Sequence, residues 1–557
     1  MRDYLNKENE KICKKNKLTG ANVMLFNSEE IIYSYNYGYA NKEQRIRSTN
    51  DSMYMIGSNT KLLTAVCILK LMEEGALSPD DDIRQFIPEF EVKATFDYDK
   101  ITVKNLLMHR AGLVGDLYNL IVDRTADFHD VIGELKNTYL TTKPGTMFAY
   151  SNVGYTLLGI IIERASGLSY QEYVEKTIAK PLGIGIHFLQ TEEAKSPFSK
   201  TISSSYSRKG KAMEDPLCTM LPAGSNTYMS ITDFVKFGQI FLKKDGTVLE
   251  KETLALMETL ECPEIMDGEL CNVGYGLIHN MYNFGENVGK ILGHGGDTMC
   301  HHSIFYYIPS KDIGVAVFTN NEHAAGAADS MADKTVITYL TDKGIAVEKH
   351  SFKYDYVKKD GGKYIGKYAT LLGVCDVREN GKGELVTKVM GFSVKLKACA
   401  DGFWHVCPNN FLLQVIPPVK KAIKKIRIKF AGYGGKDVLI VEQRDDNNIS
   451  QAIGGCRYEE ATIYESLKNA CGHYVIANES LKDMKASCVL TIKNDIIVLK
   501  MKLLGLRAGS ACLKPVSDNL LIVQGYGRGT RNDVSLTEEN GERYLTWCGL
   551  KFKQVNK

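Results

Sequence analysis

A serine precedes a lysine by three residues in Ile56-Gly57-Ser58-Asn59-Thr60-Lys61, at the head of an apolar run from Leu62 to Met72. The run is too evenly hydrophobic for a surface helix. It reads as a buried helix with Ser58 in its first turn. Residues three apart on a helix share a face, which sets Lys61 beside the Ser58 hydroxyl. A serine hydroxyl is a poor nucleophile until a base removes its proton. A lysine serves as that base only where desolvation or nearby positive charge disfavours its cation. The same spacing also arises where a serine caps a helix and the lysine is solvated, so this stretch needs partners before it carries chemistry.

Two further polar elements follow. Tyr150-Ser151-Asn152 comes after the Pro144-Gly145 turn and just before an apolar helix at 156–165 that stops at Gly167. Side chains at such a junction either cap the helix or point into a cleft. Leu292-Gly293-His294-Gly295-Gly296-Asp297-Thr298 precedes two strands at 303–308 and 313–319. Neighbouring residues on a strand face opposite sides, so His301 and His302 do not readily share a metal, and no metal site is expected. Gly293-His294-Gly295-Gly296 has no helix start or lysine after it and is not a phosphate loop.

The order and spacing of these three elements resemble the serine β-lactamase and penicillin-binding-protein superfamily. That family combines Ser-x-x-Lys, a second polar tripeptide and a third motif on a strand beside the cleft. The Tyr-x-Asn form is similar to the class C branch. So are Met108-His109-Arg110-Ala111-Gly112-Leu113, the stretch 144–155, Pro181-Leu182-Gly183 and Pro222-Ala223-Gly224. The resemblance spans residues 20–340. A catalytic domain followed by two β-barrels looks most like the D-aminopeptidase and esterase members. It implies that Ser58 forms an acyl-enzyme, that Lys61 and Tyr150 share proton traffic as a coupled pair, and that Asn152 holds Lys61 or the substrate amide. It implies substrate and oxyanion binding around Gly295, Gly296 and Asp297, with the backbone N–H groups of Ser58 and Asp297 as the oxyanion hole.

One departure bears on substrate. The third motif usually opens with lysine, and here it opens with His294. Histidine has a reference pKa of about 6.5 and is mostly neutral at pH 7. A site lacking the permanent cation favours esters, amides or peptides with a free amino end over substrates that present a carboxylate, and the resemblance implies D-amino-acid peptides among them. The alternatives are a β-lactamase or D-Ala carboxypeptidase, or a penicillin-binding sensor that is acylated without turnover.

The elements that position this chemistry are legible in outline. A helix at 4–16 precedes a hairpin of strands at 22–27 and 30–38. A short helix spans 101–109, and 115–142 is a mostly polar, helical excursion. Phe234, Phe237, Phe241 and Leu242 mark the apolar face of a helix capped by Thr232 and Asp233. A helix at 324–339 closes the domain. The expected class is α+β. A β-lactamase-like domain over 1–345, an antiparallel sheet flanked by helices plus a helical subdomain, precedes two small antiparallel barrels, lipocalin-like at 346–460 and a second at 461–557. Short alternating segments at 385–390, 393–398, 411–416, 426–430 and 438–442 make the first barrel. Those at 487–492, 496–501, 520–523 and 544–547 make the second. Gly366-Lys367-Tyr368 and Gly472-His473-Tyr474 open the two sets as a weak internal repeat. The basic run Lys420–Arg427 suits a solvated strand edge.

A chain of 557 residues exceeds a single core, and its 44% hydrophobic and 24% charged content is that of a globular protein. A net charge of +3 gives no reason to expect nucleic acid as a partner. The charged N-terminal stretch has no apolar core of a secretory signal, and no apolar run is long enough to cross a bilayer. The expectation is a cytoplasmic protein without cofactor, acting on a small molecule or short peptide, without membrane partner, and possibly a homodimer. Its fourteen cysteines are scattered without Cys-x-x-Cys pairs, as for reduced core residues.

Overall fold

The computed structural model describes residues 1–555 except 124–125, 191, 215–219, 261–271, 351, 371–372, 390–391, 410–422, 434, 445–447, 482–484, 504–505 and 526–531. The N-terminal part is built on a seven-stranded antiparallel sheet. Its order is Ile46–Arg47, Ile31–Asn41, Gly20–Phe26, Ile313–Thr319, His302–Ile308, Leu292–Asp297 and Ile278–His279. An early strand and the last one pair at its centre, Ala21 opposite Thr319 and Phe26 opposite Gly314. This pairing closes the domain on itself.

Each face of the sheet has its own core. On one face, helices Arg2–Asn16 and Ala325–Asp342 bury Leu5, Cys13, Met331 and Val336 against Val23 and Val315. On the other, helices Thr60–Glu73, Asn152–Ser166 and Ile231–Lys243 pack with Met24, Phe305 and Phe318. Helix Thr60–Glu73 is buried on every side through Leu69, as its uniform apolar sequence requires. The Ile231–Lys243 helix is capped by Ser230, whose hydroxyl accepts from Asp233 N at 3.1 Å. The cap therefore lies two residues ahead of Thr232, and Asp233 serves in the first turn.

The C-terminal region forms two closed eight-stranded antiparallel barrels. The first runs from Gly366–Thr370 to Ile449–Arg457 and closes where Tyr368 pairs with Arg457. The second runs from Gly472–Ile476 to Leu550–Val555 and closes where His473 pairs with Val555. The repeat extends to side chains. Tyr368 and Tyr474, both buried, each donate to the carbonyl four residues earlier, Tyr364 O at 3.1 Å and Ala470 O at 2.5 Å. The expected strand at 411–416 and residues 420–422 of the basic run lie outside the described residues. Arg427 corrects the reading of that run. It is 2% exposed on an inner strand, bonded to Glu442 at 2.7 Å and Asp401 at 2.5 Å. The Tyr354 and Phe403 rings, 5.5 Å and 4.3 Å from its guanidinium carbon, cover it from solvent, and the cation is held by the buried Glu442 and the exposed Asp401.

Among the described residues no helix is long and apolar enough to cross a membrane. The eleven described cysteines are free thiols.

Candidate active site

Ser58 sits in a single 3-10 turn, Gly57–Asn59, that feeds helix Thr60–Glu73. The turn is pinned from both sides. Ile56 N donates to Thr227 O at 3.0 Å. Ser303 Oγ donates to Ile56 O at 2.7 Å while accepting from Asn59 Nδ2 at 2.7 Å. Gly57 takes φ +53°, and a Cβ there would lie 2.8 Å from the backbone N of Asp297. Gly296 is packed as tightly, since its Cβ would fall 2.0 Å from Ile56 O. The nucleophile turn and the end of strand Leu292–Asp297 therefore touch backbone to backbone. That contact brings the N–H groups of Ser58 and Asp297 into one neighbourhood. Both glycines are required because any side chain would separate the two segments.

Lys61 is fully buried, whereas Ser58 is half-buried and reachable from the cleft. Lys61 Nζ lies 3.1 Å from Ser58 Oγ, 2.7 Å from Asn152 Oδ1 and 2.5 Å from Ala223 O. The last two oxygens can only accept. They orient two N–H bonds of the amine, so its remaining tetrahedral position faces Ser58. In the cation that position is a third N–H. In the neutral amine it is a lone pair aimed at the hydroxyl proton. The Tyr150 and Tyr155 rings stand 5.0 Å and 5.6 Å from Nζ and offer their faces to the charge.

The Tyr150-Ser151-Asn152 junction divides its work. Ser151 takes the capping role, its Oγ accepting from Gly154 N at 2.9 Å and donating to Val114 O at 2.7 Å. This leaves Asn152 free to face Lys61. Its Nδ2 donates to Asp116 Oδ1 at 2.6 Å, which fixes which end of the amide meets the lysine. Tyr150, half-buried, stacks on His109 with ring centroids 4.2 Å apart. His109 Nδ1 accepts from Ser151 N at 3.0 Å, so its ring orientation is set by the same backbone that carries Tyr150.

His294 lies within strand Leu292–Asp297, and its ring centroid is 6.3 Å from that of Tyr150. Its Nδ1 is 2.6 Å from Gly295 O. A carbonyl cannot donate, so Nδ1 carries the hydrogen and Nε2 a lone pair. Burial first, and the Lys61 charge second, push its pKa down to about 3. His294 is neutral at any physiological pH. Gly295 is half-buried and Asp297 exposed at the cleft end of the strand. Asp297 Oδ1 accepts from Met299 N at 2.9 Å.

All the residues expected from sequence converge: Ser58, Lys61, Tyr150 and Asn152 around one amine, with His294 and the Gly295–Asp297 backbone alongside. Three contributors were missed as site residues, namely Asp116, Ala223 and His109. Ala223 and His109 lie inside stretches that the sequence comparison of motifs singles out. Asp116 lies in a loop with no motif of its own. Among the described residues no group of three or more His, Cys, Asp or Glu could hold a metal ion. His301 instead places Nε2 3.1 Å from Ser205 Oγ, and His302 Nδ1 lies 3.4 Å from Asp297 Oδ2.

Both barrels lean on the walls of this site. Tyr433 OH of the first barrel accepts from Phe148 N at 3.0 Å, two residues before Tyr150. In the second barrel, Cys548 O accepts from Tyr118 N at 2.8 Å, and Trp547 packs on the Tyr118 ring at 5.3 Å, two residues after Asp116.

The Beta-lactamase family model matches residues 7–339. Protein flp of Staphylococcus aureus (strain N315) is 31% identical over 170 residues, 30% of this chain and 34% of that protein. The putative penicillin-binding protein PbpX of Bacillus subtilis (strain 168) is 28% identical over 237 residues, 42% of this chain and 58% of the relative. The chain thus spans about a third of the length of the S. aureus relatives it matches. Among solved structures, the octameric penicillin-binding protein homologue from Pyrococcus abyssi superposes with a TM-score of 0.55 at 24% identity, covering 82% of this chain and 99% of that one. SurE does so with a TM-score of 0.59 at 21% identity, covering 81% and 99%. These structural likenesses speak to the fold. Since the family model takes in more than half of the chain, with Ser-x-x-Lys, Tyr-x-Asn and the His294 strand assembled around one amine, this protein belongs to the Beta-lactamase family of penicillin-binding-protein-like serine hydrolases.

Proposed function

We propose that the protein is a hydrolase that forms an acyl-enzyme on Ser58 and acts on small amides, D-amino-acid peptides or esters. The observation that carries this reading is the Lys61 amine, buried and held by Asn152 Oδ1 and Ala223 O so that its remaining position faces Ser58 Oγ at 3.1 Å. As Ser58 Oγ attacks the acyl carbon, its proton passes to the amine pair of electrons, with Tyr150 beside it as the coupled partner. The carbonyl oxygen takes the negative charge and is met by the backbone N–H groups of Ser58 and Asp297. Removing one such donor typically costs about 10²–10³ in rate. Collapse expels the amine or alcohol, which takes the proton, and water then releases the acyl group from Ser58.

The neutral His294 sets the substrate class. A carboxylate-bearing β-lactam or peptide C-terminus finds no permanent cation from this residue, whereas an ester, a small amide or a peptide with a free amino end does not need one. SurE, which has been crystallised with D-Leu, and EstCE1, a hydrolase with promiscuous acyltransferase activity, guide the choice of test substrates. The purified chain and Ser58→Ala are assayed on short-chain p-nitrophenyl esters, matched D- and L-alanine amides and a chromogenic β-lactam. The expected result is turnover of esters or D-amides that Ser58→Ala abolishes. Unchanged turnover by Ser58→Ala sinks the mechanism. A burst without turnover marks an acylated sensor, and turnover of the lactam alone overturns the substrate preference.

A further inference from the structure

Far from Ser58, three segments that are distant in sequence meet around a cavity of about 580 Å³. Helix Arg2–Asn16 ends there at Lys17. The strand pair Ile31–Asn41 and Ile46–Arg47 contributes Lys42 and Arg47. The tip of the hairpin Ser205–Tyr206/Ala212–Met213 contributes Arg208 and Lys209. Five of the lining residues are cations, and the cavity wall holds no Asp or Glu. A neighbouring cavity of about 820 Å³ shares Lys17, Arg208 and Lys209 and adds Lys15, so the basic surface continues as a trough.

The nearby acids bond to groups other than the five cationic side chains. Glu43 accepts from Tyr206 OH at 2.7 Å. Glu322, on the wall of the second cavity, accepts from the backbone N of Arg208 at 3.2 Å and lies 3.4 Å from His323 Nε2. Among the described residues none of the five cations lies within salt-bridge distance of a carboxylate, and Arg47 is held instead over the Tyr39 ring at 4.5 Å. The frame is rigid. Tyr39 N donates to Thr19 O at 2.8 Å, and Lys42 N donates to Tyr206 OH at 2.6 Å, so the three segments are tied before any ligand arrives. Five like charges around one cavity raise the local positive potential, and a bound anion would lower it. Two guanidinium groups add the planar, two-pronged donors that suit phosphate oxygens. One phosphate is too small and too weakly charged to engage five cations across such a cavity.

We propose that this cavity is a binding site for an oligophosphate-class anion, one carrying several phosphate charges along its length. Register places it relative to the catalytic centre. Asp297 pairs with His302, His302 with Thr319, Thr319 with Ala21, and Ala21 with Tyr37 on the cavity wall. Four strand spacings, roughly 19 Å, separate the two sites along one end of the sheet. The site is thus distinct from the Ser58 cleft, and a small neutral substrate would not occupy both.

The test is calorimetric titration of the full chain with tripolyphosphate, at low and at high sodium chloride. Comparators are inorganic phosphate and citrate. Variants are Lys17→Gln/Arg208→Gln/Lys209→Gln on one rim, Lys42→Gln/Arg47→Gln on the other, and Lys353→Gln/Lys358→Gln/Lys359→Gln as a distant charge control. Thermal melting checks that each is folded. The expected outcome is saturable tripolyphosphate binding that weakens with salt and falls at least tenfold in both rim variants. The control should bind normally, and ester hydrolysis should be unchanged in all three. No binding at low salt, equal loss in the distant control, or equally tight binding of citrate would each overturn the proposal.

Discussion

Asn152 donates to Asp116 at 2.6 Å and so turns its carbonyl oxygen, not its amino group, toward Lys61. An amide facing the other way would set two donors against one another. Asp116 is 1% exposed, and its carboxylate is the group that selects the amide orientation. It also places negative charge one side chain away from the amine that faces Ser58.

Asp116→Asn is expected to lower kcat/KM by about 10- to 100-fold, because the amide can then flip and Lys61 loses a fixed acceptor. Loss of a nearby negative charge disfavours the lysine cation, so the acid limb of the kcat/KM profile should move to lower pH. A rate loss with an unmoved acid limb would leave Asp116 with a packing role alone.

His294→Lys tests the substrate argument. The native ring is neutral with a pKa near 3, held there by burial and by Lys61. A lysine would bring a second amine beside the first. The ratio of kcat/KM for a carboxylate-bearing amide over its methyl ester should rise, and thermal stability should fall because a buried charge is added without a partner. An unchanged ratio in a folded variant would remove His294 as the determinant of substrate charge.

Much of this site was legible because its parts are local motifs. Ser58 and Lys61 announce each other through helical spacing, and Tyr150-Ser151-Asn152 sits at a visible turn-to-helix junction. What the sequence did not reveal is tertiary. Asp116 reaches Asn152 across 36 positions from a loop without periodicity. The Ala223 carbonyl is a backbone group with no residue signature. The same limit shows in the barrels. Alternating strands such as Ser487–Lys493 are visible, but Leu506–Pro515, interrupted by small residues and ending in proline, is recognised only once its partners are in place. Arg427 reads as part of a solvated basic run until Glu442, fifteen residues later, is seen to pair with it on the outer face of the barrel, under Tyr354 and Phe403.

Tyr433→Phe probes the hold of the first barrel on the cleft. It removes the hydrogen bond to Phe148 N while keeping the ring, at a cost of about 0.5–1.5 kcal/mol. Phe148 leads directly into Tyr150, which stacks on His109. A severalfold fall in kcat with KM little changed is expected. Unaltered kinetics at lowered stability would confine the barrel to a scaffolding part.

Asp533 offers a pH signature of the second barrel docked on the catalytic domain. It is 7% exposed, accepts from Tyr139 N at 3.3 Å, and burial pushes its carboxyl up to about 6. A folded pKa above the unfolded value of about 3.9 means that the native state holds the proton longer. Its contribution is fully present below the unfolded value and is lost as pH rises through 6, by roughly 3 kcal/mol in the limit. Asp533→Asn keeps an acceptor for Tyr139 N without the charge. The variant should therefore melt close to the parent at pH 3.5 and above it at pH 8, with the gap opening between. His294 and His301, both held near 3 by burial, act in the opposite sense. They withdraw stability as pH falls from 6.5 toward 3, equally in parent and variant, so the difference between the two melting curves isolates Asp533. A gap that is constant across pH would show that the carboxyl is not buried at the docked interface.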